Sequence, residues 1–169
     1  MEKRKFPWIK FVVGCVLFAF FHQLYDIFPN TVTAVLAEGE EEAIFAHMKM
    51  LFYPYLLLSI VDYFLYRRKG QLTESFIYAR LLILISVPWV MLSFFYVPES
   101  LGINLGEPGI LIFSIIASWI GVYTAIRMEE PLEATHYRLA VKALLIMFFI
   151  SSIIIFTGFT FNPPLHDFF

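Results

Sequence analysis

The chain has 169 residues, 60% of them apolar and only 15% charged, against about 45–50% and about 25% in a soluble domain. A globular domain of this length leaves too much surface exposed to hide that apolar content, so a water-soluble fold is excluded and lipid is the expected solvent. The net charge is −2, and the basic residues sit in short separate segments, so nothing indicates a nucleic-acid partner.

Five stretches reach the roughly 20 apolar residues that a hydrocarbon core requires: 8–28, 44–66, 76–97, 109–127 and 139–161. The expected fold is all-α: a polytopic membrane protein, one membrane domain, a bundle of five transmembrane helices. The opening "MEKRK" imitates a signal peptide, and "VVGC" at 12–15 imitates a lipoprotein box. No small-x-small cleavage site follows, and almost no hydrophobic region precedes "VVGC", so the first helix is expected to be retained. Cys15 is the only cysteine, which rules out an internal disulfide and suits a small core residue.

The first span ends with His22 and Asp26, four residues apart and therefore on one face. The connection "PNTVTAVLAEGEEE" then leads into the second span. Its glutamates Glu38, Glu40, Glu41 and Glu42 suit a helix N-terminus, where free N–H groups and the macrodipole favour negative charge. His47 and Lys49 follow and are not explained in that way. Glu42 and Lys49 are two turns apart and nearly in line, with His47 to one side. Pro54 and Pro88 lie inside the second and third spans, where a kink is tolerated if neighbours satisfy the freed carbonyls.

The connection "RRKGQLTE" is short, so the second and third spans should be antiparallel neighbours. Asp62 and Arg80 would then meet as a charge pair that fixes packing, with Lys142 joining them or snorkelling to the interface. Glu99 and Glu107 bracket the third connection. Ser114, Ser118 and Gly121 form a small-residue stripe in the fourth span, as close helix packing requires. "RMEEPLEATHYR" reads as a break before the fifth span, and "GFTFNPPLHDFF", with His166 and Asp167, as a terminal flap.

Lysine and arginine remain on the cytoplasmic side of short loops. Lys3, Arg4, Lys5 and Lys10 precede or open the first span; Arg67, Arg68 and Lys69 follow the second; Arg127 and Arg138 flank the fourth break. The connections at 29–43 and 98–108, and the tail after Phe161, contain none. This alternation predicts a multi-pass protein of the cell membrane with the N-terminus cytoplasmic and the C-terminus extracytoplasmic.

An ionisable group at the bilayer centre costs about 2.5–3.5 kcal/mol on insertion scales, so such groups mark sites. His22, Asp26, Glu42, His47 and Lys49 define an outward-facing polar layer that would bind or pass a cation, a proton or a small polar solute. If they converge, His22, Asp26, Glu42 and His47 would suit a divalent metal such as zinc, although Lys49 opposes a cation. No H-E-x-x-H or C-x-x-C spacing marks a metal site.

The elements "HQLYD" (22–26), "EEAIFAHMKMLFYP" (41–54), Asp62 and "TFNPP" (160–164) occur in this order. Together they resemble a prokaryotic five-helix membrane-protein family catalogued only as a domain of unknown function. Its pattern has His-x3-Asp/Glu in helix 1, Asn-Glu-x3-Glu-His-x-Lys opening helix 2, and Pro-Pro after the last helix. The resemblance implies that His22, Asp26, Glu42, His47 and Lys49 occupy shared polar positions, but it implies no activity. Here the asparagine is Glu41 and the glutamate before the histidine is Ala46.

Three functions compete. The first is a polar membrane site for a cation, proton or solute, for which so small a bundle would need a homodimer or another membrane partner. The second is an accessory subunit whose polar layer only locks the helices. The third is a membrane-embedded hydrolase with His47 as base, oriented by Glu42 or Asp26. The sequence contains no recognisable catalytic motif.

Overall fold

In hydrocarbon every backbone N–H and C=O must pair within its own segment, so apolar spans of this length become helices. The computed structural model describes residues 7–37 and 44–162. Its elements are α1 (Trp8–Ile27), α2 (Thr31–Leu36), α3 (Ile44–Arg68), α4 (Phe76–Phe95), α5 (Val97–Ser100), α6 (Gly106–Glu133) and α7 (Leu139–Phe161). There is no strand among the described residues, and α1, α3, α4, α6 and α7 are each long and apolar enough to cross a membrane. Glu42, His166 and Asp167 lie outside the described residues.

Four of the long helices end within two residues of the limits expected from hydropathy. The fourth differs: α6 runs on to Glu133, through most of what reads as a charged break. Hydropathy falls at "RMEEPLE" because it counts isolated charges, whereas Glu129 and Glu133 are compensated in the fold by ion pairs. Two connections also contain short helices. Asn30 caps α2 by accepting from the Val32 and Thr33 N–H groups at 3.0 and 3.1 Å. The Thr33 hydroxyl accepts from the Asn30 N–H at 3.1 Å, completing a capping box. Pro98 opens α5, at a position where a missing N–H costs nothing.

Helices α3 and α4 form the centre. From Phe45 to Tyr55, α3 is buried on nearly every side, as expected for a helix surrounded by others. In α4, Phe76, Ala79, Arg80, Ile83, Leu84, Val87, Pro88 and Met91 make one continuous buried face, which packs against α3, α6 and α7. Helices α1 and α7 are peripheral. Ile9, Val12 and Val16 of α1, and Ile146, Phe148 and Ile154 of α7, are exposed, which is the face a bilayer would cover.

Two glycines set the depth at which the helices meet. A Cβ on Gly14 would lie 2.8 Å from Val122 Cγ1 and 3.4 Å from Leu58 Cδ1, and one on Gly121 would lie 3.1 Å from Leu51 Cδ2. α1, α3 and α6 therefore touch almost backbone to side chain. From that contact Lys10 lies one turn back along α1, Asp62 one turn on along antiparallel α3, and Glu129 two turns on along α6. All three therefore lie on the same side of the glycine contact, within two turns of it.

Candidate functional site

At the end of the bundle where α1 and α4 begin and α3 and α6 end, five ionisable side chains converge from four helices. Lys10 Nζ pairs with Asp62 Oδ2 and with Glu129 Oε1. Arg80 Nη2 lies 2.6 Å from Glu133 Oε1, 3.3 Å from Glu129 Oε2 and 3.8 Å from Asp62 Oδ2. The Tyr55 hydroxyl donates to Glu129 Oε1 at 2.9 Å. Arg80 is only 3% exposed, and side-chain exposure of the four partners is between 10 and 16%. This is an ionic cluster largely withdrawn from water.

The Arg80 contacts are attractions of charge rather than aligned hydrogen bonds, because Nε, Nη1 and Nη2 make no hydrogen bond to the described residues. The guanidinium carbon sits 4.4 Å from the centroid of the Phe76 ring, so an aromatic face supplies part of what water would have supplied. Beyond Glu133, the 134–138 turn brings Tyr137, whose hydroxyl donates to the Leu132 carbonyl at 3.1 Å. Burial pushes the Tyr137 phenol up, and the Glu133 carboxylate adds to it. On the same side, Lys142 Nζ pairs with Glu74; that hydrogen bond and the ammonium charge hold the Glu74 carboxyl below its ordinary range.

Above the cluster the bundle is closed by apolar groups. Gly14, Phe18, Pro54, Tyr55, Leu58 and Val122 line a cavity of about 10 Å³ with almost no polar wall. That is the lower limit for one water, and an apolar cavity of this kind stays dry. Phe52, Ile83, Met91 and Phe156 belong to the same buried apolar core.

The polar residues expected at the opposite end fall in two places. The His22 and His47 rings meet edge to face with centroids 5.8 Å apart, and His47 also lies against Phe95, 5.4 Å away. Asp26, one turn beyond His22, is exposed. Lys49 leaves a different face of α3. It is 2% exposed, and its Nζ donates to the Ala34 carbonyl at 2.8 Å and to Thr160 Oγ1 at 3.1 Å, tying α2 and the end of α7 to α3. Among the described residues no group of three or more His, Cys, Asp or Glu stands at metal-ligand spacing.

Asp62 and Arg80 come together, 3.8 Å apart, but as part of a larger set. Lys10, Glu129 and Glu133 are not evident from hydropathy, where Lys10 reads as a topology marker and both glutamates as a loop. A signal existed: Ser118, Val122, Ala125, Glu129 and Glu133 fall at spacings of four, three, four and four, continuing the packing stripe of α6.

Residues 2–169 match the family described as "Family of unknown function (DUF6512)", and the chain belongs to that family. No curated protein and no solved structure matches the chain.

Proposed function

For this member of a family without an assigned activity, we propose a small-cation-binding role in the membrane, with Lys10, Asp62, Arg80, Glu129 and Glu133 as the binding element. The basic segments around that end support a cytoplasmic placement for it, with the N-terminus inside. The carrying observation is a charge count among the described residues: three carboxylates (Asp62, Glu129, Glu133) against two cations (Lys10, Arg80). Each buried ion costs several kcal/mol unless compensated, and this cluster is short by one unit of positive charge. A ligand that supplies the missing charge is bound by the same attraction that holds the cluster together. The apolar layer above it favours binding from one side over free passage in this conformation.

The test is the thermal midpoint of the purified protein in lipid nanodiscs, over a pH series and over Na⁺, K⁺ and Mg²⁺ series at fixed ionic strength. A ligand that binds only the folded state raises the midpoint with its concentration. The expected result is a rise with acidity or with one of the cations, lost in Glu133→Gln. A midpoint that responds to neither would leave the cluster as a packing network and favour the accessory-subunit reading.

A further inference from the structure

Building on the cation-binding reading, we infer that the ligand of the cluster is a single proton shared among Asp62, Glu129 and Glu133, rather than a metal ion. The positions a metal would need are already taken. Lys10 Nζ occupies the facing oxygens of Asp62 and Glu129, and Arg80 Nη2 faces all three carboxylates within 3.8 Å. A metal ion would therefore sit beside two fixed cations. Hard cations also want six or more oxygen ligands, and the described acids do not cluster at ligand spacing. A proton needs only one carboxylate oxygen.

The geometry also identifies where the proton enters. Glu129 faces three donors, namely Lys10, Arg80 and the Tyr55 hydroxyl. Asp62 faces Lys10 and Arg80. Among the described residues Glu133 pairs with Arg80 alone, and it is the last residue of α6, where the macrodipole disfavours negative charge. The groups surrounding the shared proton are thus Lys10 from α1, Tyr55 and Asp62 from α3, Arg80 from α4, Glu129 and Glu133 from α6, and Tyr137 from the turn that follows. Uptake is a transfer from hydronium: an O–H bond forms at the carboxylate oxygen and water is released.

Proton number follows from charge number, which gives the test. In nanodiscs, infrared difference spectra between about pH 5 and about pH 8 report the C=O stretch of a protonated carboxyl, and an indicator dye counts protons per chain. Uptake by ionisable groups outside the cluster is common to every variant, so the count is read as a difference. Asp62→Asn, Glu129→Gln and Glu133→Gln each leave two carboxylates against two cations and are expected to take up one proton fewer than wild type. Lys10→Met is expected to take up one more than wild type. If one neutral variant fails to fold, the other two still decide. A carboxyl band in wild type no larger than in the neutral variants, or wild-type uptake in those variants, overturns the proton assignment. If wild type shows no such excess band but Na⁺ or Mg²⁺ raises the thermal midpoint, the cation-binding reading survives and the proton does not. If neither responds, both fail.

Discussion

Replacing Arg80 by Met removes the cation that three carboxylates share and leaves Lys10 as their one cationic partner among the described residues. With an effective permittivity of about 20, the Coulomb attraction of Nη2 is about 6 kcal/mol to Glu133, about 5 to Glu129 and about 4 to Asp62. Desolvation of the guanidinium cancels much of this, and breaking one partner out of a buried pair costs about 3–5 kcal/mol in practice. Met fills most of the space and keeps the Phe76 contact, so the loss is one of charge rather than volume. The assay is reversible unfolding in mixed micelles by titration with SDS, followed by fluorescence of Trp8, Trp89 and Trp119. A destabilisation near 3–5 kcal/mol is expected, and the Arg80→Met/Glu133→Gln double variant should recover part of it, because one orphaned carboxylate is gone. If Arg80→Met costs less than about 1 kcal/mol, as for an exposed pair, the cluster is wetter and less coupled than its burial implies, and the charge count loses its force.

Gly14→Ala places a methyl 2.8 Å from Val122 Cγ1; overpacking of this kind costs about 1–3 kcal/mol, and Val122→Ala in the same chain should restore most of it in the same titration. Lys49→Met removes charged donors from the Ala34 carbonyl and Thr160 Oγ1, a loss of about 1.5–3 kcal/mol per bond to a charged group. Hydrogen exchange should then rise over α2 before it rises anywhere in α3. For Glu74 the sign follows from its lowered proton affinity. The contribution is present above the unfolded carboxylate range and lost as pH falls through the folded value. Glu74→Gln should therefore flatten the acid limb of the stability curve, and because the residue is exposed that change should shrink with added salt.

The spans were readable because hydrophobic length is a property of one segment at a time. Asp62 and Arg80 were readable together because a short connection makes their helices neighbours. Lys10, Glu129 and Glu133 were not, since each looks like the end of a span when its partners are out of sight. What hides them is compensation: once charges on four helices cancel, a helix runs on past the point where its own composition says stop. The outer layer shows the converse. His47 and Lys49 are close in sequence, yet the turn of the helix sends one to His22 and Phe95 and the other to α2 and α7.

The order in which the cluster's members occur along the chain bears on how a ribosome-bound protein assembles. Lys10 emerges first, then Asp62, Arg80, Glu129 and Glu133, so the signs run plus, minus, plus, minus, minus. Until the last acid, each new charged helix entering the bilayer meets an opposite charge already waiting there, and a segment of marginal hydropathy is drawn in by its predecessor. Glu133 breaks the alternation, because it comes after every cation of the cluster has been made. The end of α6 is then the step at which a nascent chain must find its missing charge, and the last point at which insertion should stall.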